Sequence, residues 1–193
     1  MLSQLTRYHI LLGESRIALA VNQERIDLDE AAFFPQVQKL HLLDRIGLKE
    51  DFDKQLKLIF TRYAANSAAM LALANFAAEK GYSELTGAIA IAAGQQGFER
   101  VTFAVLHLEA LVRGPDPSQA ITQYQQIVAA DRTYFKAKEP LVMALLGIAH
   151  HARQKNDPKS AKIDRDTGNR YLEEFLKAKD LGPEAYRSVG RHL

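Results

Sequence analysis

The chain has 193 residues, no cysteine and a formal net charge of +2. Such a length suits one domain, or one solenoid of about five helical hairpins. The missing cysteines exclude disulfides and thiol chemistry, near-neutrality removes the electrostatic case for nucleic acid or an anionic membrane, and an apolar content of 47% rich in Ala and Leu suits packed helices more than a sheet.

Residues 2–22 read as helical, with Leu5, His9, Leu12, Ile17, Leu19, Ala20 and Val21 packable and Gly13 a hairpin turn or a weak point. Residues 23–28 read as a connection, and Asp27 or Asp29 can cap the helix expected over 30–46. That helix carries Phe33, Phe34, Val37, Leu40 and Leu43. Pro35 fits its first turn, where a missing amide does no harm, and Gly47 ends it. A helix over 49–64 follows, with Phe52, Leu56, Ile59 and Phe60 on one face.

The stretch 66–131 has the clearest periodicity. Met70, Leu71, Leu73, Ala74, Ala77 and Ala78 mark a helix that Asn66 or Ser67 caps and Lys80-Gly81 stops. Leu85, Ala88, Ile89, Ala92 and Ala93 mark a second, ending in residues 94–97. So short a connection makes the two antiparallel. The pattern then repeats. Met70, Leu73, Ala77 and Gly81 map onto Phe103, Leu106, Ala110 and Gly114 with a shift of 33, and Thr86, Ala90 and Ala93 onto Ala120, Tyr124 and Ile127 with a shift of 34. Phe52, Leu56 and Ile59 precede Thr86, Ala90 and Ala93 by the same 34.

Beyond residue 131 the spacing loosens. Residues 133–139 suit a linker or short helix, and Pro140 opens a helix through Leu141, Leu145, Ile148 and Ala152 to about Lys155. Asn156-Asp157-Pro158 reads as a turn. A charged helix over 160–179 packs through Tyr171, Leu172, Phe175 and Leu176, and residues 183–193 suggest a terminal helix. No segment alternates as a strand does.

Met70-x2-Leu73-Ala74-x2-Ala77-x3-Gly81 resembles a degenerate tetratricopeptide (TPR) repeat, and Phe103-x2-Leu106-x3-Ala110-x3-Gly114 with Ala120-x3-Tyr124-x2-Ile127 resembles a second. The departures are the absence of Trp, His107 where the first helix usually carries a small residue, and Phe98 and Arg132 where the family tends to have Pro. The resemblance implies an all-α, right-handed superhelix of antiparallel hairpins over a single domain 1–193. Its best repeats would be 66–98 and 99–132, with looser hairpins at 29–65 and 140–180. It further implies a concave groove lined by first helices, here Leu71, Asn75 and Ala78, then Ala104, Leu108 and Leu111, then Ala144, Ile148 and His151. One Asn matches the family's carboxylate clamp without its Lys and Arg, so the largely apolar groove would suit an amphipathic helix or an extended hydrophobic peptide. The same residues could instead pack against a neighbouring helix.

Catalytic chemistry is not in view. No H-E-x-x-H, G-x-S-x-G or phosphate-loop pattern occurs. His150-His151 point about 100° apart on a helix, poor geometry for joint metal ligands. Residues 164–168 glance at a calcium loop, but Gly168 comes one position early and Phe175 stands where a bidentate carboxylate belongs; a solvated, mixed-charge helix is the reading. Lys155, Lys159, Lys162 and Arg165 are diluted by Asp157, Asp164 and Asp166.

The expectation is therefore a non-catalytic scaffold or adaptor binding a protein or peptide, without cofactor, metal or nucleic acid. The alternative is a structural, self-associating domain of a larger envelope or multidomain protein. A homo-oligomer is compatible with either. No apolar run approaches the roughly 20 residues that span a bilayer. Residues 1–12 carry Arg7 and His9 and no cleavage pattern, so neither membrane insertion nor a signal peptide is expected. The cytoplasm is favoured as compartment, and a bacterial periplasm fits if the chain is an excised piece.

Overall fold

Four glycines set the turns. Gly13, Gly47, Gly81 and Gly97 all have positive φ, between 70° and 82°. Each closes a helix in the same way: the amide after the glycine reaches back to a carbonyl five residues earlier, as in Leu48 N to Leu43 O and Tyr82 N to Ala77 O. The first three stand 34 residues apart, and the helices after them begin at Ser15, Lys49 and Ser83, also 34 apart.

The computed structural model describes residues 1–156, 159–178 and 189. Among them there are ten α-helices, one 3-10 turn and no strand. Two compact units divide the chain, Met1–Phe76 and Ala77–Leu193. The first contains α1 (Leu2–Leu11), α2 (Ser15–Leu28), α3 (Phe33–Ile46), α4 (Lys49–Tyr63) and most of α5 (Ser67–Lys80). α1 packs on α2, α2 on α3 and α3 on α4. Leu40, Leu42, Leu43, Ile59, Met70 and Leu73 are almost fully buried. The expected connection over 23–28 is helical instead. Ile26 is buried, and Asn22 donates from Nδ2 to the Pro35 carbonyl (2.8 Å), so the last turns of α2 are held against α3. Asn66 caps α5, its Oδ1 accepting the Ala69 amide at 3.0 Å.

The second unit contains α6 (Ser83–Gln95), α7 (Arg100–Arg113), α8 (Gln119–Ala130), a 3-10 turn (Lys136–Lys138), α9 (Glu139–Asn156) and α10 (Ala161–Lys177). α7 packs on α6, α8 and α9, and α9 packs on α7, α8 and α10. Leu108, Val142, Leu145 and Leu146 lie at the centre of its core, with Ala120, Ile121 and Phe135 beside them. Tyr124 and Ile127, partly buried, pack against the edge of this core.

Small residues fix how closely these helices approach. A Cβ on Gly87 of α6 would lie 3.3 Å from the His107 ring. The large residue in α7 is thus accommodated by the absence of a side chain opposite it. Gly147 and Gly168 do the same where α9 crosses α10: a Cβ on either would stand about 3 Å from the other's carbonyl. Gly114 differs from Gly81, the glycine 33 residues before it. Its backbone is extended (φ −72°, ψ −178°), because Pro115 disfavours the helical region for the residue before it.

Arginines tie the ends of alternate helices. Arg45, in the last turn of α3, points Nη1 at the Ile10 carbonyl of α1, at a long 3.5 Å. Arg113, in the last turn of α7, donates to the Glu79 carbonyl of α5 at 3.1 Å. Both are cations placed at helix C-termini, where the carbonyl ends favour them.

Candidate functional site

The groove positions can be located one by one. On α5, Leu71 is partly exposed and Asn75 is exposed, its amide turned back to the Leu71 carbonyl at 2.9 Å; Ala78 is buried. On α7, Ala104, Leu108 and Leu111 are all buried in one cluster with Leu145 and Leu146 of α9. On α9, Ala144 is buried against Phe175, Ile148 bridges both clusters, and the His151 ring lies against Gly168 of α10. The structure therefore brings the α7 positions and Ile148 together, but in a core and not on an open surface. The reason is the number of neighbours: with α6, α8 and α9 all packed on it, α7 has almost no face left for a ligand. Of the nine, Asn75 is exposed, Leu71, Ile148 and His151 are partly buried, and the other five are buried.

A different cluster carries the unit's densest polar chemistry. Asp164, on the first turn of α10, is fully buried. Its Oδ1 takes hydrogen bonds from Arg153 Nε (3.0 Å) and Nη2 and lies 2.7 Å from His150 Nδ1. Its Oδ2 accepts from Arg153 Nε (2.9 Å) and from the Ser160 hydroxyl (2.6 Å). The Arg153 guanidinium holds the carboxyl well below the usual carboxylate range against the opposing effect of burial; Ser160 and His150 add to it. His150 also stacks at a tilt on Tyr171, 5.8 Å between centroids, and Arg170 covers that ring from 5.2 Å.

The solvated mixed-charge segment expected over 164–168 is thus corrected. Asp164 and Gly168 face inward, and Arg165, Asp166 and Asn169 face water. In sequence, Asp164 and Gly168 sit one helical turn apart, with Phe175 two turns further on. This was the available signal, masked by the charged residues interleaved with it. Leu176, expected to pack, is instead 69% exposed. The turn expected at 156–158 and the terminal helix expected over 183–193 lie largely outside the described residues, of which Val189 alone falls in that helix and is buried beside Ala144 and Phe175.

The arrangement does not prepare a nucleophile. Ser160 donates its hydroxyl proton to the Asp164 carboxylate. A carboxylate held so acidic by Arg153 is in turn a poor proton acceptor. What the geometry does is clasp α9 to α10 at the end where Gly147 and Gly168 bring them close.

Among the described residues no group of three or more His, Asp and Glu side chains could hold a metal ion, and no helix is long and apolar enough to cross a membrane. Compared with protein-family models, with curated proteins and with solved structures, the chain matches none.

Proposed function

We propose that the chain is a TPR-like stack of antiparallel helical hairpins serving as a non-catalytic protein-interaction scaffold. The observation that carries this reading is the recurrence of one turn geometry at Gly13, Gly47 and Gly81, 34 residues apart. That is the period of the tetratricopeptide hairpin. Two local features add support: α9 packs on both helices of the hairpin before it, and Arg45 and Arg113 link ends of successive first helices. In a stack of this kind a protein or peptide segment is held by first-helix side chains that the packing leaves free. Leu71 and Asn75 of α5 meet that condition. The Ser160–Asp164–Arg153–His150 cluster is a structural clasp on this reading.

The test is selection of displayed peptides, helical and extended, on the full chain, followed by titration of the selected peptide. Leu71→Glu/Asn75→Arg should weaken binding at least about tenfold, a loss near 1.4 kcal/mol. Ile91→Glu, at an exposed position on the second helix of the hairpin, should leave it unchanged. Equal affinity for the double variant would remove α5 as the binding surface, and failure to select any peptide would count against the scaffold itself.

A further inference from the structure

The first helices of the first unit, α1, α3 and α5, keep one stripe open in common. At the 34-residue period Thr6, Leu40 and Ala74 fall in one row, all at most 1% exposed. The rows on one side of it stay accessible. Arg7 and Asn75 are exposed and His41 between them is half-buried; Gln4 is exposed, and Gln38 and Ala72 are half-buried. α3 and α5 each follow a complete hairpin, so this opening comes from how first helices pack and not from the place of α1 in the chain. Neighbours in the row are within reach of one another. Arg45 of α3 points at the Ile10 carbonyl of α1, and the His41 ring lies on Phe76 of α5, 4.1 Å between centroids.

The stripe is a surface of hydrogen-bond donors. Among the described residues neither Arg7 nor Arg45 forms an ion pair. Gln38 accepts Arg25 Nη1 on its Oε1 at 2.5 Å, and its amide nitrogen has no partner among the described residues. Carboxylates are scarce on these helices: α1 has none, α5 has none as far as Phe76, and α3 has only Asp44, half-buried beside the stripe. The unit's other carboxylates stand on α2, α4 and the turns. The repeat resemblance implies a largely apolar groove, whereas the open stripe here is polar and positive.

We propose that the first helices of this unit bind an extended, acidic peptide segment of a partner protein. Arg7 and Arg45 take its carboxylates, and the side-chain amides of Gln38 and Asn75 take its backbone. Guanidinium on carboxylate is a charge-assisted contact that is often bidentate, and amides presented outward suit the exposed N–H and C=O groups of an extended chain. Nucleic acid fits less well, because two arginines set among amides neutralise few phosphates, and phosphate contacts supply most of that affinity. The inference rests on the scaffold reading and names the chemistry of its ligand.

The test uses a fluorescein-labelled peptide recovered from the displayed library on the full chain, followed by anisotropy. Recovered sequences should carry two or more Asp or Glu, and raising NaCl from about 50 to about 500 mM should weaken binding about fivefold or more. Arg7→Gln/Arg45→Gln should weaken it about tenfold or more, as should exchanging the peptide's acidic residues for Asn and Gln. Lys54→Gln/Lys57→Gln removes the same charge from α4, a second helix, and should change affinity by less than about twofold. Circular dichroism guards the fold, and Arg7→Gln alone, at an exposed residue, gives an independent reading if the double variant loses helix. Neutral or apolar peptides, or binding indifferent to both arginines, would overturn the acidic ligand and leave the scaffold reading standing. Recovery of no peptide would remove both. Tighter binding of a labelled oligothymidylate, lost in the same double variant, would overturn the proposal in favour of nucleic acid.

Discussion

Asp164 is a fully buried carboxylate that ties α10 to α9. A fully buried carboxylate is tolerable because Arg153, Ser160 and His150 satisfy it together. Asp164→Asn keeps the volume but removes the charge that Arg153 is paired with, and should cost about 3 kcal/mol in urea denaturation at neutral pH. The pH dependence follows from the sign of its shift. The carboxyl titrates lower in the folded chain than its ordinary 3.8, so its contribution is complete above that value and fades as pH falls below it. Asp164→Asn should therefore unfold in acid with a shallower pH dependence than the wild type. His107 acts in the same direction at higher pH. Burial lowers its pKa below 6.5, because the ring pressed on Gly87 is shielded from water in its charged form. The neutral ring is the one that fits, so its contribution is full above 6.5 and is lost as pH drops below it. Comparing urea midpoints at pH 7.5 and 5, His107→Leu should lose less than the wild type.

At the scale of the helices, glycine does two separable jobs. Gly47 and Gly81 both end a first helix with positive φ, +82° and +70°. Around Gly47 there is open space, whereas a Cβ on Gly81 would stand 2.9 Å from the Arg113 carbonyl oxygen. Gly47→Ala should cost only the left-handed backbone strain, about 1–2 kcal/mol. Gly81→Ala adds a clash with backbone that cannot rotate away, and its thermal unfolding should show a loss larger by about 1 kcal/mol or more. The 34-residue spacing of these turns is legible in the residues themselves, since Gly13, Gly47 and Gly81 are all visible there. The apolar pattern is clearest only from Met70 onward, because the residues around Gly13 and Gly47 carry more charge. The α9–α10 crossing was less legible. A glycine in the middle of a charged helix looks like a weak point until its partner, Gly147, is known to lie opposite.

For the whole molecule, the consequence is where a partner could bind. The groove that the resemblance implies would have left Ala78, Ala104, Leu108, Leu111 and Ala144 open to a ligand; these five are core residues, in line with the alternative that they pack against neighbouring helices. A charge at Leu108 would thus report on folding, not on recognition. Asn75 of α5, which is exposed, and Leu71, which is partly so, are the α5 groove positions whose substitution can report on recognition.

The sequence by itself determined the helices, their order and the turns between most of them. These depend on local chemistry, which neighbours along the chain carry in full: apolar residues at helical spacing, Asn66 as a cap, glycine where a left-handed turn is needed. Tertiary structure alone decided which apolar face is covered. Leu108 and Leu12 read alike as packable residues, yet one has α9 against it and the other has no described neighbour in its unit to bury it. It also decided that Asp164, flanked by the charged Lys162, Arg165 and Asp166, points inward. Burial of a charge is stable only when distant groups converge on it, and no local pattern records that Arg153, His150 and Ser160 do so.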